Sequence, residues 1–404
     1  MPIVCFLSPG AVCGQSGSLI ELVTLEPGDV VWSIFGHIGI RVLDGEGRSD
    51  MFYDYGHARF KDWSFTVNYL QGDCRFYLAE RPWSEVVSTY RDRNRTIVRQ
   101  RINLTGEQER RLILHLRQEA LPENREYVYD QLLHNCSTRL RDLLDDITGG
   151  SLRQAAAEGV PGRRYRDYLL GYTSGSLLWQ LVLDILIGPN HDREVGSWES
   201  MYLPLNLRQT ASWAVTTIDG SVVPLLSEPV IEYERSGAPR NSGRRYRGRY
   251  LFLSACFAIG VFLGLHSRLE RISSSRLPRI LDRAAALAFI CVGILFGTAG
   301  VLVLFSVLTS SVSDYRWNHN IFVFVSLDFV FTAIGIHWLI RGRPWTGWVV
   351  MMYLIVRLTA LASVTVFKLT GIFSFQDNWV FMASSAIIFI GICKFYYYRK
   401  RMVC

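Results

Sequence analysis

Charge of either sign nearly vanishes from long windows of this chain after Tyr250, and cysteine is scarce in the stretch before it. The first absence excludes a wholly water-soluble protein, because uncharged apolar runs of about 20 residues are what a bilayer-spanning helix requires. The second excludes a disulfide framework. Of eight cysteines, only Cys74 and Cys136 fall in the polar stretch from residue 20 to 248. They allow one bridge in an oxidising space, but Cys136 has a better use as a thiol. No nucleic-acid-binding motif is present, and the arginine clusters lack interleaved recognition elements. The net charge of +7, mostly arginine near the apolar edges, points instead to anionic lipid headgroups. Met1–Ser16 has no basic n-region, so residues 1–19 read as the remnant of a signal peptide or a disordered N-terminus. Val12 disfavours a lipobox at Cys13. Near Asp184, Asp192 and Glu194 the only histidine is His191, so these acids read as solvated turn residues around Gly188-Pro189. Neither metal nor cofactor is expected.

What is present before Tyr250 is an α+β pattern. Val30–Ile34 and His37–Leu43 read as strands joined by a tight connection, followed by a turn at Asp44-Gly45-Glu46-Gly47. Met51–Tyr55, Arg75–Ala79 and Ile97–Ile102 read as further strands of a small antiparallel sheet. Thr105 with Gln108 forms a capping box that opens a helix over 106–119. A second helix runs from Cys136 to Asp146 and ends at Gly149-Gly150. Tyr165–Tyr172 and Leu177–Ile187 look helical. The apolar run from Ser176 to Gly188 is too short to span a membrane and reads as a packed or interfacial helix.

Five apolar stretches follow, at about 249–266, 284–309, 320–340, 347–367 and 378–398. The division is then an extracytoplasmic domain over 20–239, an arginine-rich linker over 240–249, five transmembrane helices over 250–398 and a tail over 399–404. Eleven Lys and Arg residues lie in the loops and tail on one side against seven on the other. The positive-inside rule therefore places the C-terminus in the cytoplasm and residues 20–248 outside. Arg240, Arg244, Arg245, Arg247 and Arg249 argue the other way. They read as headgroup ligands, Arg244, Arg245 and Arg247 foremost, or as a solvated linker. Asp328, His337 and Arg357 are ionisable groups within the apolar stretches. Asp328 and Arg357 fall at similar depth on adjacent antiparallel helices at ~1.5 Å per residue, so an ion pair is expected.

Two motifs carry the chemistry. The first is Pro27-Gly28-Asp29 followed by Gly36-His37-Ile38-Gly39-Ile40; the second is Asn135-Cys136-Ser137-Thr138-Arg139. A lone histidine on a strand is usually a packing residue, but a thiol at a helix start changes that reading. Helix amides and dipole are expected to lower the Cys136 pKa, and a nearby imidazole can take its proton. Asp54 is the first choice to orient that imidazole and His57 the second. Tyr129, Asn135, Ser137 and His134 are candidates for oxyanion donation or positioning.

The strand pair around His37 resembles that of NlpC-type peptidases and their permuted relatives, and Asn135-Cys136 resembles lecithin:retinol acyltransferase-like enzymes. The wider string is similar to the Lnb-type lipoprotein intramolecular transacylases: Val30 to His37, Tyr53-Asp54-Tyr55-Gly56, Leu104-Thr105, Tyr127 to Asp130, Asn135 to Arg139 and Met201-Tyr202-Leu203-Pro204. That likeness covers about 20–230 and extends to the five-helix tail. The resemblance implies a permuted papain-like Cys-His fold, α+β, with Cys136 as nucleophile and His37 as base and then acid. It implies a bacterial cytoplasmic membrane location and acyl transfer from the glyceryl ester of a diacylglyceryl lipoprotein to its N-terminal amine. The alternatives are a hydrolase of the same fold acting on a cell-wall peptide or lipid ester, and a non-enzymatic membrane protein.

Overall fold

The computed structural model describes residues 17–30, 33–58, 68, 75–159, 163–237, 246–272, 277–310, 317–345, 347–373 and 375–403. Among the described residues there are nine strands: β1 Leu19–Leu25, β2 His37–Leu43, β3 Asp50–His57, β4 Arg75–Pro82, β5 Ile97–Arg101, β6 Glu126–Val128, β7 Val215–Ile218, β8 Ser221–Pro224 and β9 Val230–Tyr233. Seven form one sheet in the order β6-β4-β3-β2-β1-β5-β9, every pairing antiparallel; β7 and β8 form a separate hairpin. Of the expected strand over Val30–Ile34, Val31 and Trp32 lie outside the described residues, and Val30, Ser33 and Ile34 are not in a strand. The partner of β2 is β1, and Ser33–Phe35 is a turn in which the Ser33 and Gly36 amides bond back to Val30 and Ser33 carbonyls. Both stretches are apolar, and pairing rather than composition selects between them.

The helices before the membrane part are α1 Trp83–Asp92, α2 Gly106–Glu119, α3 Cys136–Ile147, α4 Ser151–Ala157, α5 Tyr165–Tyr172, α6 Leu177–Leu186, α7 Ser197–Ser200 and α8 Pro204–Trp213. Thr105 and Gln108 close the capping box of α2 as expected. Both sheet faces are covered. Ile20, Leu22, Ile38, Ile40, Val42, Tyr53 and Tyr55 pack with α2 and α3, while Val23, Leu25 and Phe52 pack with α1. Two buried faces explain why β1 is buried at every residue from Ile20 to Leu25 rather than at alternate ones.

The membrane helices are α9 Arg247–Arg271, α10 Leu277–Thr309, α11 Phe329–Arg341, α12 Gly347–Leu369 and α13 Trp379–Val403. With the irregular segment 319–328 preceding α11, five spans are long and apolar enough to cross a bilayer. The third departs from expectation, because two short 3-10 turns at His319–Phe322 and Ser326–Asp328 replace its first half. Asp328 therefore sits at the mouth of α11, not in its middle. Irregular backbone in a membrane needs internal partners, and Arg357 supplies them. It donates to the Phe322 and Val323 carbonyls at 2.9 and 2.7 Å and pairs with Asp328 at 3.0 and 3.2 Å, while Tyr353 donates to the same carboxylate. The expected ion pair forms, and it does more than join two helices. Asp328→Asn is expected to lower folded yield in detergent. Adding Arg357→Gln recovers only part of it, because the carbonyls lose their donor; a fully restored double mutant would assign Arg357 to the pair alone.

The extramembrane and membrane parts meet in a buried polar joint. Arg166, fully buried, donates to Asp184 and Asp192, each at 2.7 Å, and Arg249 of α9 donates to Asp184 at 2.7 Å and to Asp377 at 3.0 Å. The last carbonyls of α6 have no helical donor. Asn318 and Asn320 supply one at 2.8 Å to the Ile185 and Leu186 carbonyls. Three expectations are corrected here. Asp184 and Asp192 are buried ion-pair partners, not solvated turn residues, while Glu194 is exposed. Arg249 is inside the first membrane helix with 3% exposure, so it is no headgroup ligand. Arg247, also inside α9, is exposed, and Arg240, Arg244 and Arg245 lie outside the described residues.

Candidate active site

His37 opens β2, Asp54 is in β3 and Cys136 begins α3. Asp54 is the hub. Its fully buried carboxylate accepts through Oδ2 from His37 Nε2 at 2.8 Å, His57 Nε2 at 2.7 Å and Arg81 at 2.9 Å. Residues 54 and 57 of a regular strand face opposite ways. A register shift between β3 and β4 at this point turns His57 back to the Asp54 side, which is what a β-bulge does. The sequence offered Asp54 or His57 as partner of His37; the fold makes Asp54 the partner of both histidines. Burial alone would raise Asp54, yet the bonds from His37 and His57 outweigh it and hold the carboxyl well below its ordinary range. With an ionised acceptor, the neutral His37 ring keeps its proton on Nε2 and offers the Nδ1 lone pair.

Gly56 places the thiol against this ring. Its φ of +94° is one that side-chain-bearing residues rarely adopt, and a Cβ there would stand 3.3 Å from Cys136 Cβ and 3.6 Å from His37 Cε1. Cysteine and histidine thus flank the space that a side chain at 56 would take. Gly56→Ala is expected to lower activity at least tenfold and to destabilise by about 1–3 kcal/mol through the strained backbone. Thermal melts and the rate at which an activated ester acylates Cys136 check it; wild-type behaviour in both would remove Gly56 from the site.

The helix start holds Cys136 firmly but does not acidify it. Asn135 caps α3 by accepting from the Ser137 and Thr138 amides at 2.8 and 2.9 Å. Its amide nitrogen donates to the Gln131 and Tyr202 carbonyls, both at 2.8 Å. Ser137 donates its hydroxyl to the Met201 carbonyl at 2.7 Å. Asn135 and Ser137 are therefore anchors of the helix start, with no donor left for an oxyanion. Tyr129 stacks on Phe76 with ring centroids 4.1 Å apart, and His134 is exposed with its backbone paired to Asp130. The amide that the cap leaves over is that of Cys136 itself.

Burial pushes the Cys136 thiol up to about 12, with the Asp54 charge adding to it; the Ser137, Cys136 and Ile38 amides work the other way and lose. Burial also lowers His37 against the pull of Asp54. The helix-terminus expectation of an acidified thiol is thus overturned by desolvation, and the resting pair is neutral thiol with neutral imidazole. Without substrate, alkylation of Cys136 by iodoacetamide is expected to be slower at pH 7 than for a free thiol and to rise about tenfold per pH unit through pH 10. A plateau below pH 8 would mean a preformed thiolate.

Sequence reading gave no role to Gly56 or Tyr127, although both lie in the quoted strings, and passed over Arg81 and Arg95. Arg95 is buried and donates to the Leu25 and Glu26 carbonyls at 3.0 and 2.8 Å, fixing the loop before His37. Only a positive charge distant in sequence would have signalled it. The ligand atoms of His37, Asp54 and His57 lie within 4.8 Å of one another. Arg81 on the same carboxylate oxygen puts a fixed positive charge where a metal ion would compete, so the set reads as a hydrogen-bonded relay. The arrangement suits nucleophilic acyl chemistry: a thiol, a base oriented by a buried carboxylate and a free amide at the helix start.

No curated protein and no solved structure was found to match the chain. A family model does: residues 15–169, which contain His37, Asp54 and Cys136, match the Lnb N-terminal periplasmic domain. With five apolar spans following it, the chain is a multi-pass membrane protein with an extracytoplasmic N-terminal domain. The likeness to the Lnb N-terminal periplasmic domain covers the part of the chain that holds the candidate site and stops before the membrane helices.

Proposed function

We propose that the protein is a membrane-bound thiol acyltransferase that moves an acyl chain from the glyceryl ester of a diacylglyceryl lipoprotein to its N-terminal amine, in a permuted papain-like arrangement. The observation that carries this is the Asp54–His37 pair at 2.8 Å facing Cys136 across Gly56. His37 Nδ1 takes the thiol proton as sulfur attacks the ester carbonyl. The carbon–oxygen bond breaks and the departing alkoxide takes the proton from the imidazolium. The lipoprotein amine then attacks the thioester and gives a proton to His37, which returns it to the leaving thiolate. Since neither group is charged at rest, proton transfer accompanies attack.

The polar joint supports the substrate assignment, because it holds the thiol domain on membrane helices, where both donor and acceptor reside. With five spans and the domain outside, the C-terminus is cytoplasmic. Arg247 is the headgroup candidate among the described residues, beside Arg244 and Arg245. The internally satisfied Asp328–Arg357 pair gives no reason to favour an ion path. Mass spectrometry of lipoproteins from cells with and without the protein tests the reading. One acyl chain on glycerol and one on the amine is expected only with it. Identical lipoproteins would refute it, and release of free fatty acid from a diacylglyceryl lipopeptide would make the enzyme a hydrolase.

A further inference from the structure

The tetrahedral intermediates of this reaction carry a negative oxygen, and the cap residues that sequence offered for it are spent. The buried Tyr127 hydroxyl, by contrast, donates to no acceptor among the described residues, and the Gly56 backbone amide faces its oxygen. A buried hydroxyl proton without an acceptor is costly and calls for an explanation. Tyr127 is in β6, opposite Phe76 of β4, and packs edge-on against Tyr55 with centroids 6.0 Å apart. Tyr55 precedes Gly56, whose absent side chain leaves the space shared by Cys136 and His37. The Arg139 guanidinium, one turn beyond Cys136 on α3, lies 4.8 Å from the Tyr127 ring, so Tyr127 is over the Cys136 face of that helix. Tyr127 and Cys136 also pack against the same apolar cluster.

We propose that the Tyr127 hydroxyl and the Cys136 amide form the oxyanion site for the acyl carbonyl. Burial first, and then the neighbouring Cys136, hold the phenol far above its ordinary value, so it stays protonated and acts as a donor. As sulfur bonds to the carbonyl carbon, the carbonyl π electrons move onto oxygen, which accepts from Tyr127 and from the Cys136 amide. When the carbon–oxygen bond breaks, those electrons re-form the carbonyl of the thioester. Tyr127 gives up no proton and is unchanged at the end of each half-reaction. The proton without an acceptor is thus kept for charge that exists only in the transition state, where a donor is most effective.

This inference rests on the thiol mechanism, and the experiment separates the two. Full-length protein in detergent is treated with p-nitrophenyl butyrate to read acyl-enzyme formation, and in parallel with iodoacetamide, whose reaction with the thiol forms no oxyanion. Tyr127→Phe is expected to slow ester acylation about 100-fold, chiefly in kcat, while alkylation stays within about twofold. Its melting temperature should be unchanged or higher, because a buried hydroxyl proton without an acceptor is gone. Tyr127→Phe with wild-type acylation overturns the oxyanion assignment. Equal loss of acylation and alkylation also overturns it, since Tyr127 would then act on the thiol. Should Tyr127→Phe prove unfolded by its melt, Tyr127→3-fluorotyrosine keeps the donor and shape and must retain acylation within about tenfold; loss beyond that rejects the proposal. Cys136→Ala that still becomes acylated refutes the thiol mechanism itself.

Discussion

Cys136→Ala is expected to abolish acyl transfer, lowering kcat/KM by ~10⁴ or more, because no other group can carry the acyl chain. His37→Ala should lose nearly as much. The double mutant should be no worse than either single, since the thiol and its base act as one unit. Asp54→Asn should fall by about 10²–10⁴, because an amide can hold the wrong imidazole tautomer. It also leaves Arg81 and His57 without a charged partner. Transfer to a diacylglyceryl lipopeptide, read by mass, checks all four variants, with thermal melts in detergent confirming that they fold. Retention of more than a tenth of wild-type transfer by Cys136→Ala would sink the mechanism. Asp54 also sets a pH dependence of stability. Its carboxyl is held below the ordinary range in the folded state. The stability it contributes is therefore present above the unfolded value near pH ~4 and drains away as pH falls below it. Wild-type melting should drop more steeply below pH 5 than that of Asp54→Asn.

The largest structural effect is expected at the joint. Arg166 has no exposed side-chain surface, and its partners Asp184 and Asp192 each have 1%. Arg166→Met leaves two carboxylates short of a buried counter-charge, and removing one partner of a buried pair costs about 3–5 kcal/mol. A clear fall in melting temperature and loss of folded yield are expected. Asp192→Asn in the same chain should restore part of both, because it removes one stranded charge. Asp184→Asn should restore less, since Arg249 also relies on Asp184 at 2.7 Å. Arg166→Met melting with the wild type would mean that water enters the joint and the network is not what binds the two parts. Because the joint ties α5 and α6 to α9, the same variants should cut transfer from membrane-embedded substrate more than acylation by a small soluble ester.

The elements with local signals were legible from the chain. The capping box fixed the start of α2, the Gly149-Gly150 stop bounded α3, and five long apolar runs announced five spans. His37 and Cys136 stood out because their flanking residues, glycines on one side and a helix cap on the other, are local too. The depth matching of Asp328 and Arg357 worked because helix rise is regular, although the break before α11 was invisible to hydropathy. What depends on distant contacts was not legible. The 30–34 stretch reads as apolar as β1 or more so, yet it is β1 that pairs with β2. The bulge that turns His57 toward Asp54 depends on β4. The thiol was expected to be acidic from its place on a helix, but the cost of desolvating a thiolate is set by how the sheet closes over it, and that cost outweighs the helix dipole. Arg249 read as a surface cation because sequence carries no account of the acid waiting 65 positions earlier at Asp184. The sequence by itself determined the two-part architecture and pointed to His37 and Cys136 as the candidate pair, because periodicity, capping and apolar length act within a few turns of chain. Only the tertiary structure decided which carboxylate orients the base, which amides and hydroxyls remain unspent and how the domain is fastened to the membrane helices. Burial and long-range pairing set those energies, and neither is a property of a local stretch.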